Sequence, residues 1–223
     1  MRRRGSIFVA GTDTGVGKTY VARALLRAHV AAGRRAVGMK PVAAGVEDGA
    51  PVNADVAALA EAGNVDAPLA DRNPYAFEPA VAPHLAAAAA GVTIDLAAIE
   101  AAYARLAACA DVVIVEGAGG TLVPLGARHD MLDIPHRLRL PVLLVVGIRL
   151  GCLSHALLSE QSVRARGIEL AGWIANIMDP GMPMRDENVA ALAQRLAAQC
   201  VAVVEHGGCV QFPDQWLRGS EPC

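Results

Sequence analysis

The chain has 223 residues, of which 54% are apolar, and its formal net charge at pH 7 is −2. This length fits one large α/β domain or two very small ones, and the apolar content is that of a globular protein rather than a disordered one. The charge gives no general electrostatic reason to expect binding to nucleic acid or to an acidic membrane.

At the N-terminus, Arg2–Arg4 form the one basic run, which we interpret as part of a solvated tail covering residues 1–5. The apolar run that follows, 6–10, is too short for the core of a signal peptide, and no stretch is long and apolar enough to span a bilayer. We therefore expect a cytoplasmic protein with neither a membrane nor nucleic acid as a partner.

Short apolar runs typical of strands alternate with longer Ala- and Leu-rich runs typical of helices. Strands are predicted at 6–10, 36–42, 111–116, 142–148, 169–176 and 201–204, and helices at 17–32, 53–62, 81–90, 95–108, 153–166 and 185–198. Several strand candidates are apolar on both faces, which indicates a sheet buried between two layers of helices. We predict one doubly wound, mainly parallel α/β domain over 1–223, with ligands bound at the C-terminal ends of its strands.

The first predicted strand is followed by the Gly- and Thr-rich loop Gly11–Thr19 and then by a helix. Backbone N–H groups of such a loop and the helix N-terminus attract phosphate, while Lys18 can reach the β- and γ-phosphates and Thr19 can offer its hydroxyl to Mg²⁺. The strict phosphate-loop pattern would need glycine at position 12, where Thr12 stands. The alternative is a tight strand-to-helix turn with an incidental lysine.

Two carboxylates are candidate metal ligands. Glu116 ends a buried strand beside a Gly-rich turn, where an acid can bind Mg²⁺ directly or through water, or can simply face solvent. Asp55 begins a helical run and can be either a metal ligand or an acid that complements the helix dipole.

Lys40 stands within an otherwise apolar strand, and the only other lysine in the chain is Lys18. A lysine in a buried strand must contact an anion or lie at the end of the strand, because an unpaired buried charge is costly. We therefore expect Lys40 to bind an anion.

The five cysteines are odd in number and form no C-x-x-C pair, which argues against a zinc site or a disulfide framework. They are Cys109, Cys152, Cys200, Cys209 and Cys223. Cys109 and Cys200 lie in Ala-rich helical runs and are expected to be small core residues.

Several motifs together resemble the dethiobiotin synthases. They are GTDTGVGKT, MKPVAAG, NADVAAL, NPYAFEPAVAPHLAA, VVIVEGAGG, PVLLVVGIRLGCLSHALL and LAGWIAN, and they cover roughly residues 6–198. The resemblance implies an ATP- and Mg²⁺-dependent enzyme that closes the ureido ring of dethiobiotin from 7,8-diaminononanoate and CO₂. In that reaction a substrate carbamate attacks the γ-phosphate, and a second amine then displaces phosphate from the mixed anhydride.

Site residues follow from the resemblance, position by position. The nucleotide would be bound by Gly15, Val16, Gly17, Lys18, Thr19, Tyr20, Glu116 and Asn176, and Mg²⁺ by Thr19, Asp55 and Glu116. Lys18, Lys40 and Thr12 would be catalytic, with Thr12 and Lys40 facing the carbamate. Ala44, Gly151, Cys152 and Ser154 would contact the substrate, the last three across the interface of a homodimer.

The chain departs from the pattern of the dethiobiotin synthases at four places. Gly15 replaces an acid, Ala44 replaces a serine, and Asn188 replaces a tyrosine of some members. The stretch 203–207 replaces a G-x-x-P turn, so residues after about 207 match poorly.

Two other classes of protein share parts of the pattern. Partition or switch ATPases carry an additional lysine early in the loop, which is absent between Gly11 and Asp13. Cobyrinate-type amidating enzymes append an amidotransferase domain, for which 223 residues leave no room.

Overall fold

A computed structural model describes residues 5–46 and 52–218; residues 1–4 of the expected tail and Cys223 lie outside these ranges. The strands are β1 (Ile7–Gly11), β2 (Ala36–Met39), β3 (Val42–Ala44), β4 (Tyr75–Phe77), β5 (Val112–Gly120), β6 (Val142–Ile148), β7 (Leu170–Ile177) and β8 (Cys200–Val204). Six of them form a parallel sheet in the order β2-β5-β1-β6-β7-β8, and β3 pairs with β4 in a small parallel sheet.

Helices connect the strands. They are α1 (Lys18–Ala31), α2 (Ala54–Ala62), α3 (Leu69–Arg72), α4 (Pro83–Ala89), α5 (Leu96–Cys109), α6 (Asp133–Leu138), α7 (Cys152–Ala165), α8 (Arg185–Arg195) and α9 (Asp214–Arg218). Among the residues that the structure describes, none of these helices is long and apolar enough to cross a membrane.

Side chains of β1 alternate between two cores, one on each face of the sheet. Phe8 packs in the core shared with α5, α7 and α8, whereas Val9 packs in the core shared with α1 and α2. This alternation follows from the two-residue period of a strand. The predicted doubly wound, mainly parallel α/β fold is therefore confirmed.

The predicted strand 36–42 is wrong in its second half. β2 ends at Met39, and the backbone N–H of Lys40 donates to the carbonyl of Arg72 (2.8 Å) instead of to β5. Pro41 then has no N–H to continue a sheet. Lys40 thus lies just beyond the C-terminal end of the strand rather than inside it, which places its side chain at the ligand-binding edge of the sheet.

The expectation that Cys109 and Cys200 are core residues is wrong for Cys109 and holds only in part for Cys200. Cys109 is exposed because it is the last residue of α5, whose buried face is formed by other positions. Cys200 packs against the core but is only half-buried, because it begins β8, the outermost strand of the sheet. Cys152, by contrast, is buried.

Candidate active site

The loop between β1 and α1 has the conformation expected of a phosphate-binding loop. Gly17 caps α1 with φ of 93°, and a Cβ atom there would lie 2.3 Å from the side-chain nitrogen of Asn176. Only glycine fits both restrictions. Because glycine has no side chain to cap the helix, the first N–H groups of α1 are left for another acceptor, and the helix N-terminus favours an anion.

Lys18 is buried at the start of α1 with 6% of its surface exposed. Its ammonium donates to the backbone carbonyl of Asp13 (2.8 Å). Burial lowers the pKa of Lys18 from 10.5 to about 8, with Lys40 acting in the same direction and Glu116 opposing it. The lysine is therefore held inside the loop at an electrostatic cost, which a bound phosphate would reduce.

Four parts of the chain, namely α1, the residue after β2, α2 and β5, bring a second group of polar side chains together at the same edge of the sheet. The hydroxyl of Thr19 donates to Oε1 of Glu116 (2.8 Å), and the ammonium of Lys40 donates to the same oxygen (2.7 Å). Lys40 also forms an ion pair with Asp55. The structure thus joins the residues predicted to bind Mg²⁺ to the lysine predicted to bind an anion.

The charges of this cluster depend on one another. Burial raises the pKa of Glu116, which is 1% exposed; Asp55 adds to this rise and Lys40 opposes it. Burial alone would lower the pKa of Lys40, but the two carboxylates outweigh it and raise that pKa. For Asp55, burial is outweighed by Lys40, so its pKa falls. Lys40 is therefore a charged ammonium between two carboxylates.

Local structure holds Lys40 and Asp55 in place. The side chain of Asn73 donates to the backbone carbonyl of Lys40 (2.7 Å) and to that of Tyr75 (2.9 Å). Asn53 caps α2 by accepting from the N–H of Asp55 (3.0 Å). Asp55 is thus also a first-turn acid of α2, so its position complements the helix dipole while its carboxylate contacts Lys40.

The cluster has the donor atoms that Mg²⁺ prefers. Thr19, Asp55 and Glu116 offer hydroxyl and carboxylate oxygens, and Mg²⁺ is usually bound by one or two carboxylates together with water and phosphate. Oε2 of Glu116 is buried and has no hydrogen-bond partner among the described residues. A buried carboxylate oxygen without a partner is costly, so these residues fit a metal ion.

A cavity of about 620 Å³ opens beside this cluster. Besides Lys18, Thr19, Lys40, Asp55 and Glu116, its lining contains Thr14, Gly15, Gly17, Ala44, Ala80–Pro83, Ala118, Gly119 and Val123. The stretch 80–83, which leads into α4, and the segment 118–123 are parts of the site that sequence reasoning missed. In the sequence, the residues that could have indicated them are the stretch 78–83 after Phe77 and the glycines that follow Glu116.

Other predicted site residues do not line this cavity. Asn176 donates to the carbonyl of Val16 (2.9 Å), and the hydroxyl of Tyr20 donates to the carbonyl of Gly208. Thr12 donates its N–H to Val145 on β6 (3.0 Å). Gly151 caps α7, which follows β6, the neighbour of β1 in the sheet. It is followed by the buried Cys152 and the exposed Ser154.

Two solved structures share the fold of this chain. The MinC:MinD cell division complex of Aquifex aeolicus matches with a TM-score of 0.57 and 14% identity, covering 96% of this chain and 86% of that chain. A ParA family ATPase of Chlorobium tepidum matches with a TM-score of 0.56 and 14% identity, covering 96% and 88%. At this level of identity the likeness shows the fold alone.

Sequence relatives are much more similar. A family model described as an AAA domain matches residues 5–211. The ATP-dependent dethiobiotin synthetase BioD of Aromatoleum aromaticum is 56% identical over 89% of each chain. The protein of the same name from Nitrosospira multiformis is 53% identical, over 89% of this chain and 87% of its own. The chain therefore belongs to the ATP-dependent dethiobiotin synthetase family.

Proposed function

We propose that this protein uses ATP to join CO₂ to 7,8-diaminononanoate and close the ureido ring of dethiobiotin. The observation that carries the proposal is the convergence of Lys18, Thr19, Lys40, Asp55 and Glu116 on one cavity. These residues supply two cations, two carboxylates and a hydroxyl beside a phosphate-binding helix end. The sequence relatives that share most of the chain carry the name of this reaction.

The chemistry needs positioned charge rather than a protein nucleophile. One substrate amine adds to CO₂ and loses a proton, which gives a carbamate. A carbamate oxygen attacks the γ-phosphorus, and the bond to the β-phosphate oxygen breaks to release ADP. The second amine attacks the carbonyl carbon of the resulting anhydride, phosphate leaves, and the ring closes.

Lys18 and Lys40 divide the work on the two anions. Lys18 turns from the carbonyl of Asp13 to the β- and γ-phosphates, and its contact strengthens as charge develops during transfer. Lys40 stabilises the carbamate beside the γ-phosphate, with Thr12 as a further substrate contact. Lys40 and Ala44 both line the cavity. Because Ala44 replaces a serine of related enzymes, the hydrogen bond of that hydroxyl to the substrate is lost.

Mg²⁺ bound by Thr19, Asp55 and Glu116 would neutralise phosphate charge in this reaction. The unpartnered oxygen of Glu116 supports this assignment. Lys40 forms ion pairs with both of these carboxylates. A metal ion held there would compete with its ammonium, which would then be available to the carbamate.

The substrate site is completed by a second subunit in this proposal. Leu150 is 94% exposed at the turn before α7, and the nearby Leu158 is also exposed. An apolar turn presented in this way suits a homodimer interface, with Gly151, Cys152 and Ser154 near the far end of the diamine. Because ATP and the diamine are metabolites of the cell interior, we place the enzyme in the cytoplasm.

The two rival functions have less support. Switch ATPases share the fold, as the MinD and ParA structures do, but their identity to this chain is 14%. The family match and the relatives at 53% and 56% identity favour the synthetase over both the switch ATPases and the cobyrinate-type enzymes.

Measuring ADP release with and without 7,8-diaminononanoate and bicarbonate tests the function. We expect ADP release to require both, because the attacking carbamate forms from them. Lys18→Ala should abolish the ADP release that depends on the diamine and bicarbonate, in a protein that is still folded. ADP release at the same rate without the diamine would instead support a switch ATPase.

A further inference from the structure

The phosphate-binding loop is joined to the turn before α7 by an ion pair that the reaction itself does not use. Asp13 accepts a hydrogen bond from the N–H of Thr14 with Oδ1 (2.7 Å), and its Oδ2 pairs with the guanidinium of Arg149. The backbone carbonyl of Asp13 receives the ammonium of Lys18 (2.8 Å). Asp13 thus connects the phosphate-binding lysine to Arg149.

Arg149 stands at the start of the other loop. It directly follows β6, the neighbour of β1 in the sheet, and its carbonyl accepts from the N–H of Cys152 (3.0 Å). Between them lies Gly151, which caps α7 with φ of 93°. A change in the position of Arg149 is therefore passed on to the turn 150–152 through the backbone.

This ion pair contributes little to folding stability. Both side chains are almost half exposed, with 45% for Arg149 and 44% for Asp13, and exposed pairs are screened by water. The fold already joins the two strands through backbone bonds such as that from Thr12 to Val145 (3.0 Å). What the pair adds is a side-chain link between the loop after β1 and the turn after β6.

The geometry points to Arg149 as a positioning residue that, through Asp13, couples nucleotide binding in the phosphate loop to diamine binding at 150–154. This inference rests on the proposed function, which assigns those two ligands to the two loops. Because segment 150–154 completes the partner subunit's site in the proposed dimer, the ion pair links the two active sites. Each ligand should therefore tighten the binding of the other.

The coupling can be measured by calorimetry with Mg²⁺-ADP, titrated with and without saturating 7,8-diaminononanoate. ADP lacks the γ-phosphate that the substrate would touch, so coupling between these ligands must pass through the protein. For the unmodified protein we expect the diamine to tighten ADP binding about fivefold or more. Arg149→Gln and Asp13→Asn should each reduce this factor to below about twofold, and the double variant should lose no more than either single one.

Two further variants separate positioning from general effects. Arg149→Lys keeps the charge and should retain most of the coupling. Arg35→Gln breaks a comparably exposed ion pair with Asp111 (3.0 Å). These residues lie just before β2 and β5, at the N-terminal ends of the strands and away from the ligand-binding end, so this variant should leave the coupling unchanged.

Three results would overturn the inference. The first is coupling in Arg149→Gln that is as strong as in the unmodified protein. The second is a loss of coupling in Arg149→Gln that Asp13→Asn does not reproduce. The third is a loss of coupling in the double variant that equals the sum of the losses in the two single variants. The second would mean that Arg149 contacts a ligand itself. An unmodified protein that binds ADP but no diamine would contradict the proposed function instead, and the coupling would fall with it.

Discussion

Replacing Lys18 by methionine should stabilise the ligand-free protein while removing its activity. Burial lowers the pKa of Lys18 from 10.5 to about 8, which corresponds to about 3 kcal/mol of unfavourable free energy for the charged form at pH 7. Methionine has a similar length and no charge, so it avoids this cost. The lost hydrogen bond to Asp13 offsets about 1 kcal/mol, which leaves a gain of about 2 kcal/mol.

The gain should depend on pH in a defined direction. Below pH 8 the lysine is charged in both the folded and the unfolded chain, so the full burial cost applies. Between pH 8 and 10.5 the folded protein loses this proton before the unfolded chain does, so the cost falls as pH rises, by roughly half at pH 9.5. The advantage of Lys18→Met over the unmodified protein should shrink accordingly.

Denaturant unfolding at pH 7 and pH 9.5, without nucleotide, measures both effects, and dethiobiotin formation measures the activity. Removing one stabilising contact to a transferring group typically costs about 10²–10³ in turnover, and we expect at least this loss. Equal unfolding midpoints for the two proteins at both pH values would refute the argument from burial. Near-normal turnover in folded Lys18→Met would refute the role of the lysine.

The other predictions concern the metal ion, the second lysine and the dimer. Asp55→Asn and Glu116→Gln should each raise the Mg²⁺ needed for half-maximal activity by roughly tenfold or more; an unchanged titration for Asp55→Asn would leave it only a helix-dipole role. Lys40→Met should harm diamine use far more than ATP binding, and in calorimetry it should tighten Mg²⁺ binding to the ligand-free protein, because the competing ammonium is gone. Equal losses of ATP and diamine binding would assign Lys40 to the nucleotide site or the fold. Mixing Lys18→Ala with Gly151→Asp, each inactive alone, should restore some activity after subunit exchange, whereas no recovery despite proven exchange would contradict a shared site.

The sequence predicted the six strands of the main sheet because most of them are buried on both faces. Such strands read as continuous apolar runs, and β6 was predicted at its observed bounds. The strands β3 and β4 have three residues each, and helices α3 and α6 have four and six. Elements this short do not complete a recognisable hydrophobic period, so they were not predicted.

The sequence predicts the site residues that can be identified from their residue type and their place after a strand or at the start of a helix. It does not predict contacts that form only when distant segments fold together. Lys18 and Thr19 begin a helix after a buried strand, and Glu116 lies in β5 where its apolar run ends. These positions already place all three at the C-terminal ends of the parallel strands. The contact of Lys40 with Asp55 depends on β2 ending at Met39 and on the cap of α2, and neither is visible as a periodic pattern. The pair of Asp13 and Arg149 joins residues 136 positions apart, which only the neighbouring positions of β1 and β6 explain.

A reaction with isotopically labelled bicarbonate shows whether the protein forms dethiobiotin. The purified protein is incubated with ATP, Mg²⁺, 7,8-diaminononanoate and the labelled bicarbonate, and the products are identified by mass spectrometry. We expect dethiobiotin that carries one labelled carbon, formed in equal amount to ADP, and no labelled product when any component is omitted. ADP formed without labelled dethiobiotin would contradict the proposed function.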